Sequence, residues 1–447
     1  MVYYPGLKQI LPGIVSSAAP NTASAVSRDF VDQDRMLPQL GKPVFITSDL
    51  QTALARLGVY ILCFFDYGVR NSATWIFILV IAISLLCLSR ATWSLLRPFL
   101  LLWLVNGIYI CLSFLHALPA AWTKLYEPGV ILRQCTWVFV LPLVANLFRN
   151  YVLGALQGHA LREYLIVTSL LIANFFVSGI LVADWTYPEW SYGPFGYLWA
   201  PFSIYLVVAG WGMIMEPRRI IWFLFCCQAI AAIALADGAQ TKLTYVCFLT
   251  VVLFRRLRRY VATTAVLVMI SFVIVGYVWT WMHPMEVVQR DAAVRALMVA
   301  NAFDAAKQSG FIGVGYGTEG LKNYYPELGI QSFTSFDDAF ILIGVHNAFF
   351  DILMRMGLPG IIAFAWALFS LAYPIGRNER ISTYRKVLFA ALVLNLSVNV
   401  ALQSPFHMTG VAAMLGASFV AQQCSQLRGN SKRQVNSEEM NLLSHEQ

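Results

Sequence analysis

Residues 97–115 read RPFLLLWLVNGIYICLSFL, with a single charge, Arg97, at the first position. A helix that crosses a bilayer needs about 20 mostly apolar residues, and this stretch supplies them. Similar runs recur on both sides of it, at 52–67, 72–89, 134–148, 164–183, 197–215, 220–236, 243–254, 261–281, 359–375, 387–402 and 409–424. The whole chain agrees: 59% of its 447 residues are hydrophobic and 12% charged, against roughly 25% charged in a soluble domain, and its mean hydropathy is +0.65. Those figures exclude a soluble enzyme, a disordered chain and a disulfide-rich secreted module. They predict an all-α integral membrane protein with about 12 transmembrane helices.

Charge sets the orientation. With an even number of crossings and the C-terminus inside, the inner connections hold Arg90, Arg97, Arg149, Arg162, Arg218, Arg219, Arg255, Arg256, Arg258, Arg259, Arg377, Arg380, Arg385, Lys386, Arg428, Lys432 and Arg433. The outer ones hold Arg70, Lys124, Arg133, Lys242, Arg290, Arg295, Lys307 and Lys322. Seventeen against eight is the positive-inside bias, and it accounts for the net charge of +8 without nucleic acid. Residues 1–51 are then a cytoplasmic extension, 52–424 the membrane domain and 425–447 a cytoplasmic tail. Ile10–Val15, broken by Pro12, is too short for a signal peptide's apolar core.

The longest connection runs from about 282 to 346 and lies outside the cytoplasm on this topology. Long ordered loops are usually functional. A second outer segment, 184–199, is rich in Trp and Tyr; it reads as an interfacial aromatic belt or as a surface on which sugar rings stack. Seven of the eight cysteines lie in or beside apolar runs, with no CxxC pair and no zinc spacing. No acidic cluster points to a metal, and Asp337 and Asp338, adjacent on an extended segment, point apart. No cofactor is expected.

Gly313-Val-Gly-Tyr-Gly-Thr-Glu-Gly320 mimics two known signatures. A dinucleotide fingerprint needs a parallel sheet around it, which this chain has nowhere to place. A potassium filter needs a pore helix, a short re-entrant loop and four copies around an axis. The glycines still permit positive φ and let backbone N–H groups approach an anion; a tight structural turn uses them equally well. His346-Asn347 follows at the end of the long loop, then Gly357-Leu-Pro-Gly360. A histidine there has a pKa suited to accepting a sugar hydroxyl's proton, or is simply a hydrogen-bonding side chain. Arg290 and Arg295 fall on a helix expected over about 286–309, where Glu286/Arg290 and Asp291/Arg295 are i,i+4 pairs of about 0.3–0.5 kcal/mol that a pyrophosphate could displace.

The order Arg295, Gly313-Val-Gly315, His346-Asn347, Gly357-Leu-Pro-Gly360 resembles the O-antigen ligase and polymerase superfamily of bacterial polysaccharide assembly, over about residues 230–375. The resemblance implies a multi-pass inner-membrane glycosyltransferase with loop 282–346 in the periplasm. Its donor would be a glycan on a polyprenyl pyrophosphate, usually undecaprenyl. Its acceptor would be a saccharide, either another lipid-linked repeat (polymerase) or the lipid A core (ligase). A chain-length regulator would accompany a polymerase, membrane lipids would surround the protein, and no nucleic acid would take part. Carried over, His346 is the base and Arg295 a pyrophosphate clamp, assisted by Lys242 and Arg290, with Asn347, Gly313 and Gly315 in support and Arg133 as a further cation. The chain departs from the pattern at Thr241-Lys242, where Ser-Arg is usual, at Val299 in place of an aromatic, and at Gly310 in place of Pro. This divergence leans towards exopolysaccharide or O-antigen polymerisation. A flippase for the same lipids would show inverted repeats and mid-span charges. Here the spans are nearly charge-free, with Arg56 near an end and Arg355 expected on a surface helix.

Overall fold

The computed structural model describes residues 48–64, 70–89, 92–118, 128–181, 199–235, 245, 249, 291–317, 345, 347–373, 379–398, 402 and 408–425. The chain divides into two units, Met1–Ile46 and Thr47–Gln447; every described residue belongs to the second. All regular elements among them are helices. We number them α1 Asp49–Phe64, α2 Arg70–Leu86, α3 Trp93–Leu96, α4 Leu100–Phe114, α5 Pro128–Cys135, α6 Trp137–Tyr151, α7 Ala160–Leu181, α8 Trp199–Gly210, α9 Arg219–Leu235, α10 Asp291–Gln308, α11 Ala348–Ala372 and α12 Glu379–Val398, with α13 at residues 408–425.

The opening stretch forms α4 with a one-turn 3₁₀ lead-in, Arg97–Phe99. Its two faces are inverted relative to a soluble helix. Asn106 and Ser113 are buried while Leu104 and Ile108 are 62% and 49% exposed. The same holds on α11, where Leu358, Ile362, Trp366 and Phe369 form an exposed stripe at helical spacing. An apolar stripe of this kind is unfavourable in water and stable in hydrocarbon. Three helices among the described residues are long and apolar enough to cross a membrane: Trp93–Phe114, Trp137–Leu156 and Ala348–Ala372. Some of the others expected to cross are shorter here, such as Ser203–Met215 and Arg219–Ile230, and most of 243–281 lies outside the described residues. Twelve crossings are therefore not established.

Contacts between helix ends fix the direction of each helix. At one end, Asn146 and Asn150 donate to the Cys87 carbonyl, and the Gly158 N–H donates to Glu216 Oε1 at 2.7 Å. Glu163, fully buried, accepts from Tyr60 and Tyr151 and pairs with Arg56 at 3.1 Å. At the other end, Asn347 Nδ2 donates to the Ser397 carbonyl, and Gly410 lies against Ser203. α6 to α9 alternate between the two ends, as do α11 to α13. The first end is the one to which the charge bias assigns the inner cations. Several of those cations are not in loops, however: Arg97, Arg162, Arg219, Arg380 and Lys386 lie in helices, and two more are buried there. Arg149 lies in the last turn of α6 and Arg385 inside α12, both 2% exposed, because each helix runs past the apolar stretch that announces it. Arg149 there complements the helix C-terminus.

Candidate functional site

Five residues after the last turn of α10 comes the glycine turn. Gly313, Gly315 and Gly317 have φ of 97°, 80° and 83°, so alternate residues take the left-handed conformation that glycine adopts without penalty. The turn's amides are all donated to protein. Gly313 N–H goes to Ser309 Oγ at 3.0 Å, Val314 to the Met354 carbonyl at 2.8 Å and Gly315 to the Arg355 carbonyl at 2.9 Å. Tyr316 N–H goes to Ser113 Oγ at 2.8 Å and Gly317 to Gln134 Oε1 at 2.7 Å. Of the two uses open to these glycines, the structural turn is the one seen; no amide of 313–317 is left to cradle an anion.

What the turn grips is the second glycine motif. α11 is two helical segments meeting at Gly357, whose φ of 60° and ψ of −158° is a region essentially confined to glycine. A Cβ on Gly357 would lie 2.3 Å from the carbonyl oxygens of Phe311 and Ile312, and one on Gly313 would lie 2.6 Å from Gly357 N. Each motif thus requires the other's missing side chain. Leu358 N–H donates to the Phe311 carbonyl at 2.9 Å, and Pro359, which has no N–H to lose, sits in the first turn after the kink.

Other elements hold the turn from behind. Tyr109 OH donates to the Ile312 carbonyl and Tyr316 OH to Asn106 Oδ1. Burial keeps the Tyr316 phenol well above its ordinary pKa, so it remains a neutral donor. Gln134, on α5, also accepts from Arg355 Nη1 at 2.8 Å, and Arg355 Nε pairs with Asp351 Oδ1 at 3.0 Å. Arg355 is 1% exposed; it lies inside the protein, not on the surface helix expected for it.

Asn347 is the N-cap of α11. Its Oδ1 accepts from Phe349 and Phe350 N–H at 3.1 and 3.2 Å, satisfying donors the helix leaves orphaned, while its Nδ2 reaches Ser397. α10 packs alongside the first half of α11. The Phe303 ring lies 6.4 Å from Phe350 and 5.9 Å from Phe311, and Phe311 meets Leu358, so the two helices run parallel. Arg295 lies on α10; its side chain, like that of Arg133 on α5, is outside the description. His346, Lys242 and Arg290 lie outside the described residues, as do Glu319, Asp337 and Asp338. The structure therefore seats Gly313 and Gly315 against the Gly357 end of the segment that Asn347 caps and lays the helix carrying Arg295 alongside that segment.

Residues 238–365 match the O-antigen ligase family. The resemblance read from the motifs holds for that segment, which contains all of them. That match and the long apolar helices support a membrane enzyme of O-antigen ligase or polymerase type in general. No curated protein matches it. Sequence reasoning missed Asn106, Ser113, Gln134 and Asp351, and it noticed Arg355 only as a charge on a surface helix. The first three lie outside the matched segment, and their only signal was a polar side chain within or at the edge of an apolar run.

Proposed function

We propose that the chain moves a glycan from a polyprenyl pyrophosphate carrier, usually undecaprenyl, to a saccharide acceptor at the periplasmic face of the inner membrane. The product is an exopolysaccharide or O-antigen polymer. His346 takes the acceptor hydroxyl's proton, and Arg295, with Lys242 and Arg290, neutralises the charge that grows on the departing pyrophosphate. Displacement at the anomeric carbon inverts its configuration, and the cations stand in for a metal. The matched family's description favours a second reading, the ligase, in which the acceptor is the lipid A core.

The parallel pairing of α10 with α11 carries this reading. Phe303 lies beside Phe350, so residue 300 stands level with Asn347. Arg295 is five residues further, about 7–8 Å along the axis. That separation lets a long cationic side chain and a residue next to the cap address one ligand. The cap end of α11 also lies opposite the end expected to face the cytoplasm. Arg295→Ala is expected to abolish polymer in cells while the protein accumulates in the membrane. Arg295→Lys should restore little, because a point charge replaces a bidentate fork. Normal polymer in Arg295→Ala would reject the clamp.

A further inference from the structure

We propose that Arg355 is a positioning residue for glycan transfer, acting through Gln134 to hold the Gly317 end of the glycine turn in register with the helix that begins at Asn347. The inference rests on the transferase reading above.

One oxygen joins the two places. Gln134 Oε1 accepts from Gly317 N–H at 2.7 Å and from Arg355 Nη1 at 2.8 Å. From Arg355 the connection continues to Asp351 at 3.0 Å, and the Asp351 N–H bonds the Asn347 carbonyl at 3.0 Å. The connection therefore runs from Gly317 through the buried Gln134 and Arg355 side chains to the Asp351 carboxylate, these three residues being 1%, 1% and 3% exposed, and the first backbone bond of α11 carries it on from Asp351 to Asn347. His346 immediately precedes Asn347 in the chain. The path thus sets where the helix cap beside the proposed base stands relative to the turn.

The chemistry of the path favours geometry over stability. A buried ion pair adds little over an apolar filling of the same shape. A guanidinium differs from an ammonium in presenting its N–H groups in a fixed plane. Arg355 uses that plane to meet a carboxylate through Nε and an amide oxygen through Nη1, which orients α5 and α11 together. A shift of about 1 Å at a reacting group can cost on the order of a hundredfold in rate, so small slippage here should be visible in turnover.

The test is a double-mutant cycle on the purified full-length protein. Arg355→Lys keeps the charge opposite Asp351 but not the planar fork. Gln134→Leu removes the shared acceptor. The substrate is lipid-linked glycan extracted from membranes of a strain lacking this protein, and binding is read by competition with unsubstituted undecaprenyl pyrophosphate. Each single variant should fold, bind the carrier within about threefold of wild type and lose at least about tenfold in kcat. The double variant should be no worse than about twofold below the poorer single, because both break one path. Wild-type kcat in Arg355→Lys, losses that multiply in the double variant, or losses that track folded fraction would each overturn the positioning role. Absence of transfer by wild type would reject the transferase reading and the positioning role with it; transfer by wild type with full activity in the variants rejects the positioning role alone.

Discussion

Replacing Gly357 by alanine should test the interlock of the two glycine motifs, because Gly310 provides a matched control. Both glycines have positive φ, 60° and 65°, although the ψ of −158° at Gly357 adds backbone strain of its own there. A Cβ at Gly310 meets nothing within 4 Å, whereas one at Gly357 meets two carbonyl oxygens at 2.3 Å. The control therefore carries only backbone strain, on the order of 1–2 kcal/mol. At Gly357, reaching 3.0 Å from those oxygens means a retreat of 3.0 − 2.3 = 0.7 Å. If the Leu358–Phe311 bond of 2.9 Å opened by the same amount it would stand at 3.6 Å, beyond hydrogen-bonding range. The neighbouring bonds Val314–Met354 and Gly315–Arg355 span the same seam and would be stretched with it. Three weakened bonds at about 0.5–1.5 kcal/mol each add about 1.5–4.5 kcal/mol to the strain. Thermal unfolding of the detergent-solubilised protein, followed by the loss of monodisperse material, should place Gly357→Ala well below Gly310→Ala. Equal midpoints for the two variants would refute the interlock.

Two further substitutions probe the ends of the bundle. Asn347→Ala should destabilise by about 0.5–2 kcal/mol from the lost cap, and by more once the Ser397 tie is counted, whereas Asn347→Asp keeps the cap acceptor and should lose less; thermal midpoints in the order wild type, Asp, Ala would bear this out. Glu163→Leu removes the acceptor for Tyr60 and Tyr151 and the partner of Arg56. It should cost about 3 kcal/mol or more, while Glu163→Gln, which still accepts from both phenols, should cost distinctly less because Arg56 is partly solvated.

The membrane class was legible because lipid-facing helices are apolar along their length. The stretch at 97–115 became Trp93–Phe114, and the stretch at 220–236 became Arg219–Leu235. Boundaries were less legible, since a helix does not stop where hydrocarbon does; Arg149 and Arg385 sit within helices for that reason. In the site, the order of motifs was readable, and so was a short helix between Asn347 and Gly357. What the motifs do to each other was not. Gly313 and Gly357 are 44 residues apart, and local sequence carries no sign that a side chain on Gly313 would meet Gly357 N or that one on Gly357 would meet the Phe311 and Ile312 carbonyls. Nor does an isolated Gln134 or Asn106 in an apolar neighbourhood name its partner, because a buried polar group demands only that some partner exist.

The assignment of His346 as general base is the centre of the account, and transfer by the purified protein tests it most directly. Wild type and His346→Ala should be compared at equal protein amount with a lipid-linked glycan, with binding of the donor measured separately. The account predicts that donor binding survives while transfer falls by about 10²–10⁴. Transfer per molecule within a few-fold of wild type would contradict it, and would move the base to Glu319, Asp337 or Asp338.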